Sequence, residues 1–269
     1  MAASALPDTS AWPVLGTAGR NTYRVSDGLV DMRRPPRQAR AVQTRALPQS
    51  VVFDLNRSAL VIIDMQNDFC AREGWMASLG VDVSPLRALA GAINRTTERL
   101  RANGVPVLWV NWGVRPDRLN LSPGTQHPFN PNGRGAGLAG EVQGLPSKHK
   151  LLQKGSWGAQ IIVELRQDAR DIHIDKHRIS GFWDTPLDAT LRNLDVTTVL
   201  FAGINADHCV LGTLMDANFH GYDTILLEDC TGTTSPDFCM QATLHNVRFC
   251  FGFTMTSGDL VASLPEQVS

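Results

Sequence analysis

TTVLFAGINADHCVLGTLMDANFHGYDTILLEDC, Thr197 to Cys230, reads as a strand, a helix and a second strand. Its opening residues, TTVLFAG, form a continuous apolar and β-branched run, the pattern of a strand buried on both faces. Val210, Leu211, Leu214 and Phe219 then recur at near-helical spacing. Gly221 follows, a residue able to take the left-handed conformation that ends a helix. TILLEDC is apolar and continuous again. Cys209 therefore falls at the carboxyl edge of the first strand, where open α/β sheets bind their ligands.

The same alternation runs outward in both directions. SALVIIDMQ from residue 58, VPVLWVNW from 105, DIHIDK from 171 and VRFCFGFTM from 247 read as further strands. SPLRALAGAINRTTERLRANG is an amphipathic helix with Ser84 as its cap, Pro85 in its first turn and Gly104 at its end. A short helix is expected near 158–166, another in PLDATLRNL behind Pro186, one over 207–220, one over about 235–246, and a last one in SGDLVASL. Six strands separated by helices imply an α/β fold: a doubly wound, mostly parallel six-stranded sheet with helices on both faces. Residues 113–150, rich in Gly, Pro and Asn, read as a lid or binding loop. Residues 1–50 are polar and read as an N-terminal arm without its own core, able to pack on a neighbouring subunit; 51–269 form the domain.

Composition excludes several classes. A net charge of −1 over 269 residues gives no electrostatic footprint for nucleic acid or an anionic membrane. The basic run Arg33–Arg40 reads as a solvated segment. No apolar run is long enough to span a bilayer, and the first residues lack the pattern of a signal peptide. Five cysteines (Cys70, Cys209, Cys230, Cys239 and Cys250) without a short-repeat framework suit reduced thiols in the cytoplasm. No CxxC, HExxH or GxxxxGK[ST] occurs, so neither a metal nor a nucleotide cofactor is expected.

Three chemically distinctive residues stand at the ends of three strands: Asp64 after ALVII, Lys176 after DIHID, and Cys209 past TTVLFAGI. A charge that ends a buried strand is costly unless paired, and Asp64 and Lys176 can pair with each other. A thiol between them has a base for its proton and a cation for its thiolate, and the following helix adds its positive N-terminal end. The bland reading makes Asp64 a turn residue, Lys176 a surface lysine and Cys209 a small apolar filler.

ALVIIDMQNDFC, DKHRISGFWDTPLDATLRNL and VLFAGINADHCVLGTLMDANFHGYDTILLEDC together resemble the isochorismatase-like cysteine hydrolase family over about residues 58–262. KGSWGAQIIVEL (Lys154–Leu165) and SGFWDTPLD (Ser180–Asp188) are most like its ureidoacrylate amidohydrolase branch. The resemblance implies the isochorismatase-like fold and a catalytic triad: Asp64 as general base, Lys176 lowering the thiol pKa and holding the carboxylate, and Cys209 as nucleophile. It implies attack on an amide, ureide or carbamoyl carbonyl, a thioester intermediate, and hydrolysis of a C–N bond. It further implies a non-proline cis peptide at Ile204–Asn205 and an oxyanion hole built from the N–H groups of Asn205 and Cys209.

Gln66, Asn111, Trp112, Phe182 and Trp183 are candidate substrate contacts, each with a packing or turn role as its alternative. His208, next to the nucleophile on a helix, reads as structural, and the other four cysteines as inert apolar fillers. Two departures from the family stand out. Ala206 occupies a position commonly held by Thr. The segment NWGVRPDRLN has no histidine where the nicotinamidase branch binds a metal, and Asp117 matches an acid of the ureidoacrylate branch only loosely. The partners expected are a small-molecule substrate and further copies of the chain in a homo-oligomer. The alternatives are a biuret, N-carbamoylsarcosine or aryl/alkyl amide hydrolase of the same family, an isochorismatase proper, against which Cys209 argues, and a non-catalytic binding module, which has no need of the three residues together.

Overall fold

A computed structural model of the protein describes residues 6–17, 19–34, 36–143 and 148–266. Its centre is a sheet of β1 (Ser58–Ile63), β2 (Val107–Trp112), β3 (Ile172–Lys176), β4 (Thr198–Gly203), β5 (Asp223–Thr231) and β6 (Phe253–Met255), ordered β6-β5-β4-β1-β2-β3. Every neighbouring pair is parallel. β1, β2 and β4 are buried at every residue, which is why they read as unbroken apolar runs. β3 lies at an edge and alternates between exposed and buried positions.

The longer helices are α1 (Ser84–Ala102), α2 (Leu187–Asn193), α3 (Leu211–Phe219), α4 (Asp237–Asn246) and α5 (Ser257–Ser263). From β1 the chain crosses through α1 to β2 on one side, and from β4 through α3 to β5 on the other. Because parallel crossovers are right-handed, opposite directions of travel put helices on opposite faces. α1 turns Leu86, Ala90, Ile93 and Leu100 into the core. Asp82, and not Ser84, supplies its N-terminal acceptor: the Ser84 N–H donates to Asp82 Oδ1 at 2.9 Å.

Three local expectations change. Only Trp157–Ala159 coils in the region read as a helix over 158–166, and Val163 there is fully solvated. VRFCFGFTM holds a strand of three residues, because Val247–Phe251 continues α4 as a π-turn. Its alternating Val, Phe and Phe imitate a strand, yet Phe249 points to solvent. In the arm, Val14–Thr17, Asn21–Val25 and Val30–Asp31 make a small antiparallel sheet, and Ala41–Thr44 pairs with Val51–Asp54 across the boundary set at residue 50. Val42 is the one buried apolar side chain among the described residues of that segment. Leu47 exchanges two backbone hydrogen bonds with Thr254 (2.8 and 2.9 Å) and so covers the open edge of β6. Among the described residues, no helix is long and apolar enough to cross a membrane.

Candidate active site

The strand order reverses between β1 and β4, and the crevice at their carboxyl ends lies at that switch point. Ile63 is in register with Gly203, and the Ile204 N–H donates to the Ile63 carbonyl at 2.9 Å. The approach requires glycine: at φ +106°, a Cβ on Gly203 would lie 2.1 Å from the Ile63 oxygen. Asp64 and Asn205 therefore leave the sheet side by side. Asp64 holds a left-handed φ of 54°, and the Ile204–Asn205 peptide is cis.

Lys176, at the end of β3, reaches back across β2. Its Nζ lies 2.9 Å from Asp64 Oδ2, donates to the Arg178 carbonyl at 3.1 Å, and stands 4.2 Å from the centre of the Trp112 ring. Both members of the pair are essentially inaccessible to water. The Trp112 N–H donates to Asp64 Oδ1 at 3.2 Å. The Cys209 thiol lies near the same carboxylate and near the Trp112 indole N–H, and both act on its titration.

Burial is the dominant cause that raises the Asp64 pKa above 3.8, opposed by Lys176 and the surrounding donors. The Cys209 thiol is pushed up to about 12, first by burial and then by Asp64, against the pull of Lys176. This differs from a resting thiolate. Lys176 acts in the expected direction, but loss of water outweighs it, so the proton stays on sulfur beside a carboxylate that can accept it.

Cys209 lies in a π-turn, Ala206–Val210, that leads into α3. The Asn205 carbonyl accepts both the His208 and Val210 N–H groups at 3.1 Å, while the Cys209 carbonyl accepts the Thr213 hydroxyl at 2.6 Å. Among the described residues no acceptor takes the Asn205 N–H.

A cavity of about 200 Å³ opens onto this group, with Asp64, Ile204, Asn205 and Cys209 at its base. Its walls are Phe69, Trp75, Met76, Trp112, Pro128 and Phe129, completed by Ile179, His208 and Thr234. The Phe129 ring stands 5.5 Å from Trp75 and 5.2 Å from Trp112. Pro128 and Phe129 come from the loop read as a lid. A larger depression of about 540 Å³, between Arg45–Ser50 and Met255–Asp259, contains none of the three distinctive residues.

The structure thus brings Asp64, Lys176, Cys209, Asn205 and Trp112 together. It separates the other expected contacts from the cavity. Gln66 is fully buried and works as a clamp: its Oε1 accepts the Trp112 N–H at 2.9 Å, and its Nε2 donates to the Trp112 and Ala159 carbonyls at 2.7 Å each. Asn111 points to the opposite face from Trp112, toward a different depression by Ala159 and Ile174. Phe182 stacks on His220, and Trp183 is exposed with its indole donating to Asp216 at 2.7 Å. Asp117 pairs with Arg115 at the surface. His208 reaches the cavity rim with Asp207 at 3.2 Å from its ring. All five cysteines are free thiols, and among the described residues no three His, Cys, Asp or Glu side chains gather in a metal-binding arrangement.

Sequence reasoning missed the walls, because Trp75, Met76, Pro128 and Phe129 lie in short turns with no periodic signal. It also missed a second buried pair, Asp68 with His149. The acidic side chain in QNDFC, inside an otherwise apolar turn, was the available clue.

A sequence profile of the isochorismatase domain matches residues 58–259. The chain is similar to a cysteine hydrolase from Pseudomonas syringae, with 23% identity, 79% of this chain and 94% of that one covered, and a TM-score of 0.65. It is similar to an N-carbamoylsarcosine amidase from Thermoplasma acidophilum, with 27% identity, 75% and 96% covered, and a TM-score of 0.56. A pyrazinamidase/nicotinamidase from Streptococcus mutans matches at 24% identity, 74% and 99% covered, and a TM-score of 0.54.

Proposed function

The chain belongs to the isochorismatase domain family of hydrolases, and we propose on that premise that it is a cysteine amidohydrolase cleaving the C–N bond of a small amide, ureide or carbamoyl compound. The observation that carries this reading is the contact of Asp64 with both Lys176 and Cys209 at the base of one cavity.

Cys209 Sγ attacks the carbonyl carbon while its proton passes to Asp64, whose raised pKa makes it the better base. The carbonyl oxygen becomes an oxyanion, held by the N–H groups of Asn205 and Cys209; removal of one such donor typically slows the reaction about 10²–10³-fold. Asp64 returns the proton to the departing nitrogen as the C–N bond breaks, leaving a thioester on Cys209. Water, deprotonated by Asp64, then attacks the thioester; the acid leaves and the thiol regains its proton. Lys176 keeps Asp64 anionic and oriented throughout.

The ureidoacrylate likeness bears on the bond that is broken and not on the charge the rest of the substrate carries. Its segment Lys154–Leu165 supplies the Ala159 and Trp157 carbonyls that hold Gln66 and Asn67 (2.7 and 2.8 Å), so it bears on the frame of the site. We further take the protein to act in the cytoplasm as a homo-oligomer, for which the free thiols and the exposed Phe219, Phe238 and Phe249 are the supports. The test is an ammonia-release screen over amides and ureides with the Cys209→Ala protein as blank. Turnover is expected to fall by about four to six orders of magnitude with the fold unchanged by circular dichroism. Retained turnover in that variant rejects the mechanism.

A further inference from the structure

Most of the wall around Cys209 is aromatic or apolar, with Asn205, His208 and Thr234 as its uncharged polar members, and among the described residues Asp64 is the one carboxylate that lines the cavity. Among the described residues no Arg or Lys lines it, and the residues outside the described set include neither type. Lys176 is fully buried and already engaged by Asp64, the Arg178 carbonyl and the Trp112 ring. Arg178, next to the cavity-lining Ile179, is held by Asp184 at 2.7 Å. His208 stands at the rim, more than half exposed, beside Asp207.

Resting on the amidohydrolase reading, we propose that this site selects uncharged substrates whose acyl side is a compact apolar group, and rejects those that carry a carboxylate. A carboxylate seated here would give up its water against Trp75, Trp112 and Phe129, meet no cation, and face Asp64. Sites that recognise carboxylates place an Arg or Lys opposite them. The size agrees: an apolar cavity of about 150 Å³ holds benzene. About 200 Å³ accommodates a ring, or a branched alkyl group, with its carboxamide at the sulfur. Ureido acids fall on the rejected side.

Alkylation separates charge selection from catalysis. The intact protein is treated with iodoacetamide or with iodoacetate, which differ in charge, and modification of Cys209 and of the exposed Cys250 is followed by peptide mass spectrometry. The amide-to-acid rate ratio at Cys209 is expected to exceed that at Cys250 by an order of magnitude or more. Equal ratios overturn the proposal, and so does failure of both reagents at Cys209, since a two-carbon amide must fit a cavity of this size. Met76→Lys puts an ammonium on the wall and should narrow the gap; an unchanged gap overturns it too. Benzamide should release ammonia faster than 4-carbamoylbenzoate, and the reverse order counts against selection. If no amide is turned over, the catalytic reading fails while the alkylation ratio still decides the question of charge.

Discussion

Two buried carboxylates leave the same turn four residues apart and end in opposite situations. Asp64 meets Lys176 and a thiol at the base of a cavity. Asp68 meets His149 at 2.5 Å, accepts the Leu152 N–H at 2.8 Å, and is sealed beneath Gly158, where a Cβ would lie 2.0 Å from its Oδ2. Burial raises the pKa of both. A raised carboxyl pKa is therefore no mark of catalysis by itself. What distinguishes Asp64 is an adjacent nucleophile and space for a carbonyl. Asp68 instead ties the loop after β2 to the turn that carries Trp75, whose N–H it accepts at 3.3 Å.

Charge removal at each acid is the sharpest way to break this comparison. Asp64→Asn should lower kcat by about 10⁴-fold, as loss of a general base that also orients the nucleophile. Asp68→Asn should cost about 3 kcal/mol of stability in urea unfolding and leave kcat within tenfold. A kcat loss at Asp68 equal to that at Asp64 would mean the two acids share one task.

The pH responses should diverge in sign. A carboxyl whose folded pKa is raised contributes stability that is complete below its unfolded value, near 3.8 here, and lost as pH rises through the folded value. Catalysis needs the carboxylate form of Asp64, so kcat/KM should climb over the window in which that stability declines. An acidic limb of the rate profile at or below 3.8 would contradict a raised Asp64. Because the thiol is held up to about 12, no thiolate absorbance from Cys209 should appear near neutral pH. Gly158→Ala should have the smallest effect: a lowered Tm from displacement of Asp68, with the chemistry at Cys209 preserved.

How much of this the sequence disclosed follows from periodicity. β1, β2 and β4 declared themselves as unbroken apolar runs, and their ends pointed at Asp64 and Cys209. Lys176 was legible because it shares the inward face of alternating β3 with Ile174, where a charge needs a partner. The arm's three-stranded sheet was not, since strands of two to five residues with little burial carry no hydrophobic pattern. Gln66 was read as a ligand contact because a polar residue after a strand fits either role, and only its three bonds to backbone decide between them. The pairing of Asp68 with His149 joins positions 81 residues apart and left no local trace.

The loop after β2 is fastened at its two roots. The Val114 N–H donates to the Leu152 carbonyl, and the Lys154 N–H returns a bond to the Val114 carbonyl, each at 3.0 Å. Between those roots Leu121, Leu138, Val142 and His149 are buried, and His149 holds Asp68, so it is the exposed stretches that can change without disturbing the sheet edge that holds the sulfur. The scaffold is thus suited to grafting: exchange of residues 122–135, which carry Pro128 and Phe129, for a foreign segment should retune which molecules are accepted while the bond-breaking apparatus stays in place.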